Sequence, residues 1–199
     1  LGEAKIRIKA GVQLREKELI KTAFAGGENR EKALAALLQA NYRIVLGYFL
    51  KLTQDPEAAK DLTQETMVRA IKNLRKYRGE GKFSSWLIAV GSNFYRDELR
   101  KKKTAEKIKD RYLSVIEKQP EAETVDIKRA LLELPAEKRI PLILKYYYDY
   151  SYQEIAAALK IPLGTVRSRL HSAVRQLRER LTEEPAGTHR KTPGAKEEL

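Results

Sequence analysis

Apolar residues along most of this chain recur at spacings of three and four, the period of a helix that buries one face. Leu34, Leu37, Leu38, Tyr42, Val45, Leu46, Phe49 and Leu50 predict one long helix ending before Thr53. Asp55-Pro56 is an N-cap followed by Pro at the first helical position, so a second helix starts there and runs to about Lys76. Gly79 and Gly81 bracket a loop. Ser84 or Ser85 then caps a helix that carries Trp86, Leu87, Val90, Phe94 and Leu99 and ends in the basic run Arg100-Lys101-Lys102-Lys103. A shorter amphipathic piece, Leu14 to Ala25, precedes these, set off by Gly26-Gly27-Glu28-Asn29. Three or four such helices make one bundle.

The pattern weakens after Thr104. Thr104 to Val115 fits a helical extension, whereas Gln119-Pro120-Glu121-Ala122-Glu123 is polar and broken by Pro, as a linker is. Val125 to Leu134 reads as a short amphipathic helix closed by Pro135. Ala136 to Tyr148 reads as another, in which Pro141 removes a hydrogen bond and should kink or delay the helix. Ser151 with Glu154 three residues later is a capping box, so a helix starts near Tyr152. Ile155 and Leu159 share one of its faces, and Ala156, Ala157 and Ala158 are small enough for a second helix to come close. Lys160-Ile161-Pro162-Leu163-Gly164 breaks the pattern. From about Thr165 a further helix places Val166, Leu170, Val174, Leu177 and Leu181 on an apolar stripe and Arg167, Ser168, His171, Ser172 and Arg175 opposite. A capped helix, a tight turn and a polar second helix form a helix-turn-helix, the unit that sets a helix in a major groove about 12 Å wide.

No strand-like alternation and no internal repeat occurs, so the expected class is all-α: two small helical domains joined by a flexible linker. The expected boundaries are an N-terminal extension over 1–13, the bundle over 14–103, the linker over 104–125, the helix-turn-helix domain over 126–182, and a tail over 183–199. The tail's Pro and Gly without apolar periodicity are a disordered composition.

Charge narrows the partner. Forty Lys and Arg against 27 Asp and Glu make a formal net charge of +13 over 199 residues, the electrostatic footprint of a polyanion binder. An acidic membrane surface would satisfy the same charge, but no uninterrupted run of about 18 apolar residues and no signal peptide is present, and a cytoplasmic, soluble protein is expected. The chain has no Cys, which excludes disulfides, thiolate catalysis and Cys-ligated zinc. Its two His residues, His171 and His189, leave a metal centre little beyond carboxylates. Neither a metal nor an organic cofactor is expected.

Three segments together resemble the extracytoplasmic-function (group IV) sigma factors of bacterial RNA polymerase. Asp55 to Ala70 is similar to the family's acidic region 2.2. Tyr77 to Leu87, with Asn93 and Asp97-Glu-Leu-Arg100, is similar to regions 2.3 and 2.4. Asp149 to Leu181 is similar to region 4.2. The resemblance implies that Asp61, Gln64 and Glu65 dock on a coiled coil of the largest subunit of core polymerase. It implies that Lys76, Tyr77, Arg78, Lys82, Phe83, Trp86, Asn93, Arg96 and Arg100 handle the −10 element as single-stranded DNA, a task that calls for cations and for aromatic surfaces beneath unstacked bases. Of these, Phe83 and Trp86 are equally suited to packing between helices. Where primary sigma factors carry a duplex-wedging Trp pair, this chain has Ala89 and Val90, a departure group IV shares. Thr165, Arg167, Ser168, His171, Ser172 and Arg175 would face the −35 duplex, with Arg175 and Arg178 placed for phosphates. The resemblance implies an anti-sigma factor as a further partner, since family members are commonly held inactive by one, and the basic and apolar surfaces here would suit it.

Two other classes compete. A stand-alone helix-turn-helix regulator accounts for Asp149 to Leu181 but leaves Asp61 to Glu65 and Phe83 to Trp86 unexplained. A nucleic-acid enzyme needs a nucleophile or clustered carboxylates with a metal, and no Gly-rich phosphate loop or His/Cys cluster appears. No catalytic residue is expected.

Overall fold

In the computed structural model, residues 16–25, 27–79, 81–109 and 127–182 are described, and every regular element among them is helical. The expected extension over 1–13, most of the linker and the tail lie outside the described residues. A helix over residues 16–25 (α1) is followed by α2 (Arg30–Thr53), α3 (Pro56–Asn73), a 3₁₀ turn (Leu74–Lys76) and α4 (Phe83–Lys109). Beyond the linker come α5 (Ile127–Glu133), α6 (Ala136–Tyr148), α7 (Tyr152–Leu159) and α8 (Leu163–Thr182).

The predicted starts and stops have clear local causes. The Asp55 carboxylate accepts from the N–H groups of Glu57 and Ala58, with Pro56 opening α3. Ser151 Oγ accepts from the Glu154 N–H at 3.1 Å while the Glu154 carboxylate accepts from the Ser151 N–H at 2.7 Å, completing the capping box. These bonds, the one from the Ser151 backbone foremost, hold the Glu154 carboxyl below its usual range. Two boundaries differ from expectation, and Pro141 behaves otherwise than expected. α4 begins at Phe83, ahead of both candidate serines; its extension past Thr104 continues to Lys109. α8 begins at Leu163, so Gly164 lies in its first turn and the break is only Lys160 to Pro162. Pro141 does not delay α6: Pro135 precedes the first helical residue, and Pro141 sits buried inside a helix that runs through it.

The bundle closes on α2. Leu37, Val45, Tyr48, Phe49 and Leu52 are fully buried where α3 and α4 pack on it, each such side chain contributing about 1.5–3 kcal/mol. By length and mean hydropathy α2 is long and apolar enough to cross a membrane, a property hidden from a search for unbroken apolar runs. Here it is the core helix of the bundle, with exposed Gln39 and Arg43 on its outer side. Gly91 lets α4 approach closely, since a Cβ there would lie 2.6 Å from Thr66 Oγ1 and 2.7 Å from Phe49 Cζ. Beneath it the Ser92 hydroxyl donates to the Ile88 carbonyl, so the Tyr48 hydroxyl, 2.6 Å away, donates to Ser92.

In the second half α8 supports α5, α6 and α7. Ile140, Ile143, Ile155, Leu159, Val166 and Leu170 are buried between them. The two halves also touch: the buried apolar residues of both form one continuous cluster. Gln54 Nε2 donates to the Lys128 carbonyl at 2.7 Å, and the rings of Tyr48 and Tyr148 meet edge-on at 5.8 Å.

Candidate nucleic-acid interface

The acidic face of α3 is the simplest part of the site. Asp61 and Gln64 are exposed and Glu65 is half-buried, on one side of a helix whose other side buries Ala59, Thr63, Thr66 and Ala70. Thr63 and Thr66 are tolerated in the core because their hydroxyls donate to the carbonyls of Ala59 and Leu62. Glu65 is held by Arg69 at 2.5 Å, and Arg69 in turn lies over the Phe94 ring, 4.0 Å from its centroid. Val68, 43% exposed, continues the same stripe three residues past Glu65 and four past Gln64. The i+3 and i+4 spacing to Glu65 and Gln64 is the sequence signal that places Val68 on this face. Val68 thus adds an exposed apolar side chain to the carboxylates and amide of this stripe.

After the 3₁₀ turn the chain reverses through Gly79 and Gly81, both at positive φ (77° and 74°), where only Gly is unstrained. Tyr77 ties this loop down, donating from its hydroxyl to the Gly81 carbonyl at 3.1 Å. Its ring meets Phe83 at 5.1 Å and Trp86 at 5.5 Å, forming a small aromatic core. Tyr77 is 5% exposed and Phe83 fully buried. The two therefore shape the loop and present no ring face to a base. Trp86 is half-buried, and Lys76, Arg78 and Lys82 are exposed beside it.

Asn93, Arg96 and Arg100 follow on α4. Arg100 is exposed and paired with Asp97. Asn93 Nδ2 donates to the Ala158 carbonyl at 2.9 Å, and an Arg96 terminal nitrogen donates to the Leu159 carbonyl at 2.7 Å. Burial first, and then the neighbouring charges of Arg169 and Arg100, hold the Arg96 guanidinium below its ordinary pKa. A groove of about 1280 Å³ runs along this junction, with Lys76, Arg78, Lys82 and Trp86 on one wall and Tyr150 and Ala157 on the other.

The polar face of α8 is open. Arg167, Ser168, His171 and Arg175 are exposed, Thr165 and Ser172 half-buried, while Val166, Leu170 and Ala173 face inward. Ser168 donates to the Thr165 carbonyl at 3.1 Å, and Arg175 lies 3.6 Å from Glu179. No cluster of three or more potential metal ligands occurs among the described residues.

A helical bundle with an exposed acidic stripe, a basic loop with a half-buried Trp, and a helix-turn-helix together have the form of a DNA-binding protein. Residues 37–105 match Sigma-70 region 2 and residues 124–177 match Sigma-70, region 4. Among curated relatives, the ECF RNA polymerase sigma factor SigL of Mycobacterium tuberculosis is 34% identical over 163 residues, covering 76% of this chain and 92% of that protein. SigW of Bacillus subtilis is 33% identical, covering 62% of this chain and 75% of the relative. The chain spans 57% of the length of SigE of Mycolicibacterium smegmatis, to which it is 33% identical over 69% of its own residues. In fold it is similar to the sigma factor RpoE solved with the anti-sigma factor NepR from Bartonella quintana, at a TM-score of 0.60 and 24% identity over 77% of this chain and 99% of that one. The chain belongs to the extracytoplasmic-function family of RNA polymerase sigma factors.

Proposed function

We propose that this chain is an alternative sigma factor that binds core RNA polymerase and directs promoter-specific initiation by reading −35 and −10 elements. What carries the reading is the coexistence in one chain of the α3 stripe and the α8 face. A stand-alone helix-turn-helix regulator has use for the second and none for the first. The α3 stripe of Asp61, Gln64 and Glu65, extended by Val68, docks on the coiled coil of the largest polymerase subunit. Lys76, Arg78, Lys82 and Arg100 guide the opened −10 strand by its phosphates, with Trp86 available to a base and Asn93 and Arg96 extending the polar face.

Arg167, Ser168, His171 and Ser172 face base edges of the −35 duplex, Thr165 lies at the mouth of the groove, and Arg175 holds a phosphate. Each good base contact contributes about 1–3 kcal/mol of discrimination. The linker over 104–125 tethers the two readers and sets the element spacing they accept. The chain makes and breaks no bond: the polymerase performs the chemistry, in the cytoplasm where core enzyme and promoter meet. An anti-sigma factor is a fitting regulator for its basic and apolar surfaces.

The test adds the purified chain to core polymerase and measures initiation on a library of −35/−10 spacings. Start-site selection confined to a narrow set of spacings is expected; absence of both core binding and start-site selection sinks the reading.

A further inference from the structure

Neither Arg139 nor Arg169 has a part in the −35 or −10 reader. Arg139 is 8% exposed; one terminal nitrogen donates to the Leu132 carbonyl, while its Nε is shielded from solvent without a hydrogen-bond partner. Arg169 is half-buried on α8. Its charge and that of Arg100 both oppose the charge on Arg96, which burial disfavours most. Among the described residues, none of Arg96, Arg139 and Arg169 has a carboxylate in ion-pair contact. Cations withdrawn from water in this way are costly unless a counter-charge meets them.

These three arginines line one cleft of about 720 Å³ between α4 on one side and the α5–α6 turn and α8 on the other. That volume lies in the range of small-ligand pockets, roughly 300–1,000 Å³. Exposed Arg100 and Lys102 add to its positive charge, although Arg100 is paired with Asp97. The carboxylates that line it are Glu133 and Glu137. Glu133 lies 3.4 Å from Arg180, and Glu137 is exposed. The cleft also receives the start of α6. Pro135 at its N-cap makes no side-chain cap, and the N–H groups of Ala136 and Glu137 have no acceptor among the described residues. A helix start of this kind carries partial positive charge and donors aimed outward, which suits phosphate.

We propose that this cleft is a binding site for a small ligand bearing a di- or triphosphate, held by Arg96, Arg139, Arg169 and the uncapped first turn of α6. Guanidinium forks match phosphate oxygens in pairs, and cations that converge from α4, α6 and α8 call for a chain of phosphates rather than a single one. A DNA backbone passing the rim has Arg100 and Lys102 to meet. Reaching buried Arg139 takes a group small enough to enter. The site goes beyond the promoter-reading role and does not depend on it.

The test titrates inorganic tripolyphosphate into the full chain by calorimetry at constant ionic strength, with sulfate as the comparison. One saturable site is expected, at least about tenfold tighter for tripolyphosphate than for sulfate. Arg169→Gln should weaken it by at least about tenfold. Lys21→Gln removes the same charge from an exposed position on α1 outside the cleft and should change the affinity by less than about twofold. Arg139→Met should weaken binding as much as Arg169→Gln, which decides the matter if the buried variant does not fold. Uptake that never saturates, equal affinity for sulfate, or equal losses in Arg169→Gln and Lys21→Gln overturns the site. A thymidine oligonucleotide that loses as much affinity as tripolyphosphate in Arg169→Gln assigns the cleft to DNA backbone and overturns the small ligand. Start-site selection by the holoenzyme tests the sigma-factor reading separately.

Discussion

Residues with the same chemistry in the sequence have different work in the fold. Tyr77, Phe83 and Trp86 were equivalent as candidate stacking surfaces. Tyr77 and Phe83 turn inward and hold the loop, and of the three rings Trp86 alone is only half-buried. Arg167 and Arg139 are both arginines of the second domain, yet Arg167 is exposed on the recognition face, whereas Arg139 is buried and donates to the Leu132 carbonyl at 2.9 Å. Arg167→Ala is therefore expected to lose −35 discrimination by about 1–3 kcal/mol with core binding intact, as measured by competition between promoter and mismatched duplexes. At Gly91 the constraint is volume. Gly91→Ala should destabilise the bundle by about 1–3 kcal/mol through overpacking against Thr66 and Phe49, read as a lower denaturant midpoint at unchanged slope. Nothing local marks Gly91, because the crowding atoms come from two other helices.

The elements were the most legible level. Capping box, Asp-Pro start and 3-and-4 periodicity each act within a few residues, and α3, α6 and α7 lie where those signals put them. What local pattern missed were endings that use left-handed backbone without Gly. α2, α6 and α7 end at Gln54, Asp149 and Lys160 with φ of 55°, 54° and 52°, a conformation costing non-Gly residues about 1–2 kcal/mol. Lys160 makes the turn of the helix-turn-helix by this route, its N–H returning to the last turn of α7. Lys160→Gly should raise stability by roughly 0.5–1 kcal/mol, partly offset by the added freedom of the unfolded chain; a thermal melt that shifts downward contradicts the assignment. Pro141 marks the opposite error. Its lost hydrogen bond was expected to disturb α6, but burial holds the helix through it.

Across the whole molecule, the tyrosines of the domain junction make stability depend on alkaline pH. Burial pushes the Tyr48 phenol well above its ordinary value of 10.0 and raises Tyr148 to about 12. A raised folded-state pKa favours folding fully below the unfolded value, and the advantage is lost as pH climbs above it. Unfolding stability should thus hold up to about pH 10 and fall between about pH 10 and 12, with tyrosinate absorbance appearing together with loss of helical circular dichroism; Tyr148→Phe should weaken that fall. The sequence by itself determined the helices, their caps, the helix-turn-helix and the three family segments, because each depends on neighbours a few positions away. Only the tertiary structure decided which aromatics are core and that Asn93 and Arg96 cap a helix 65 and 63 residues further along the chain. Burial and contacts at that separation come from how helices pack, and they leave no period for a sequence to display.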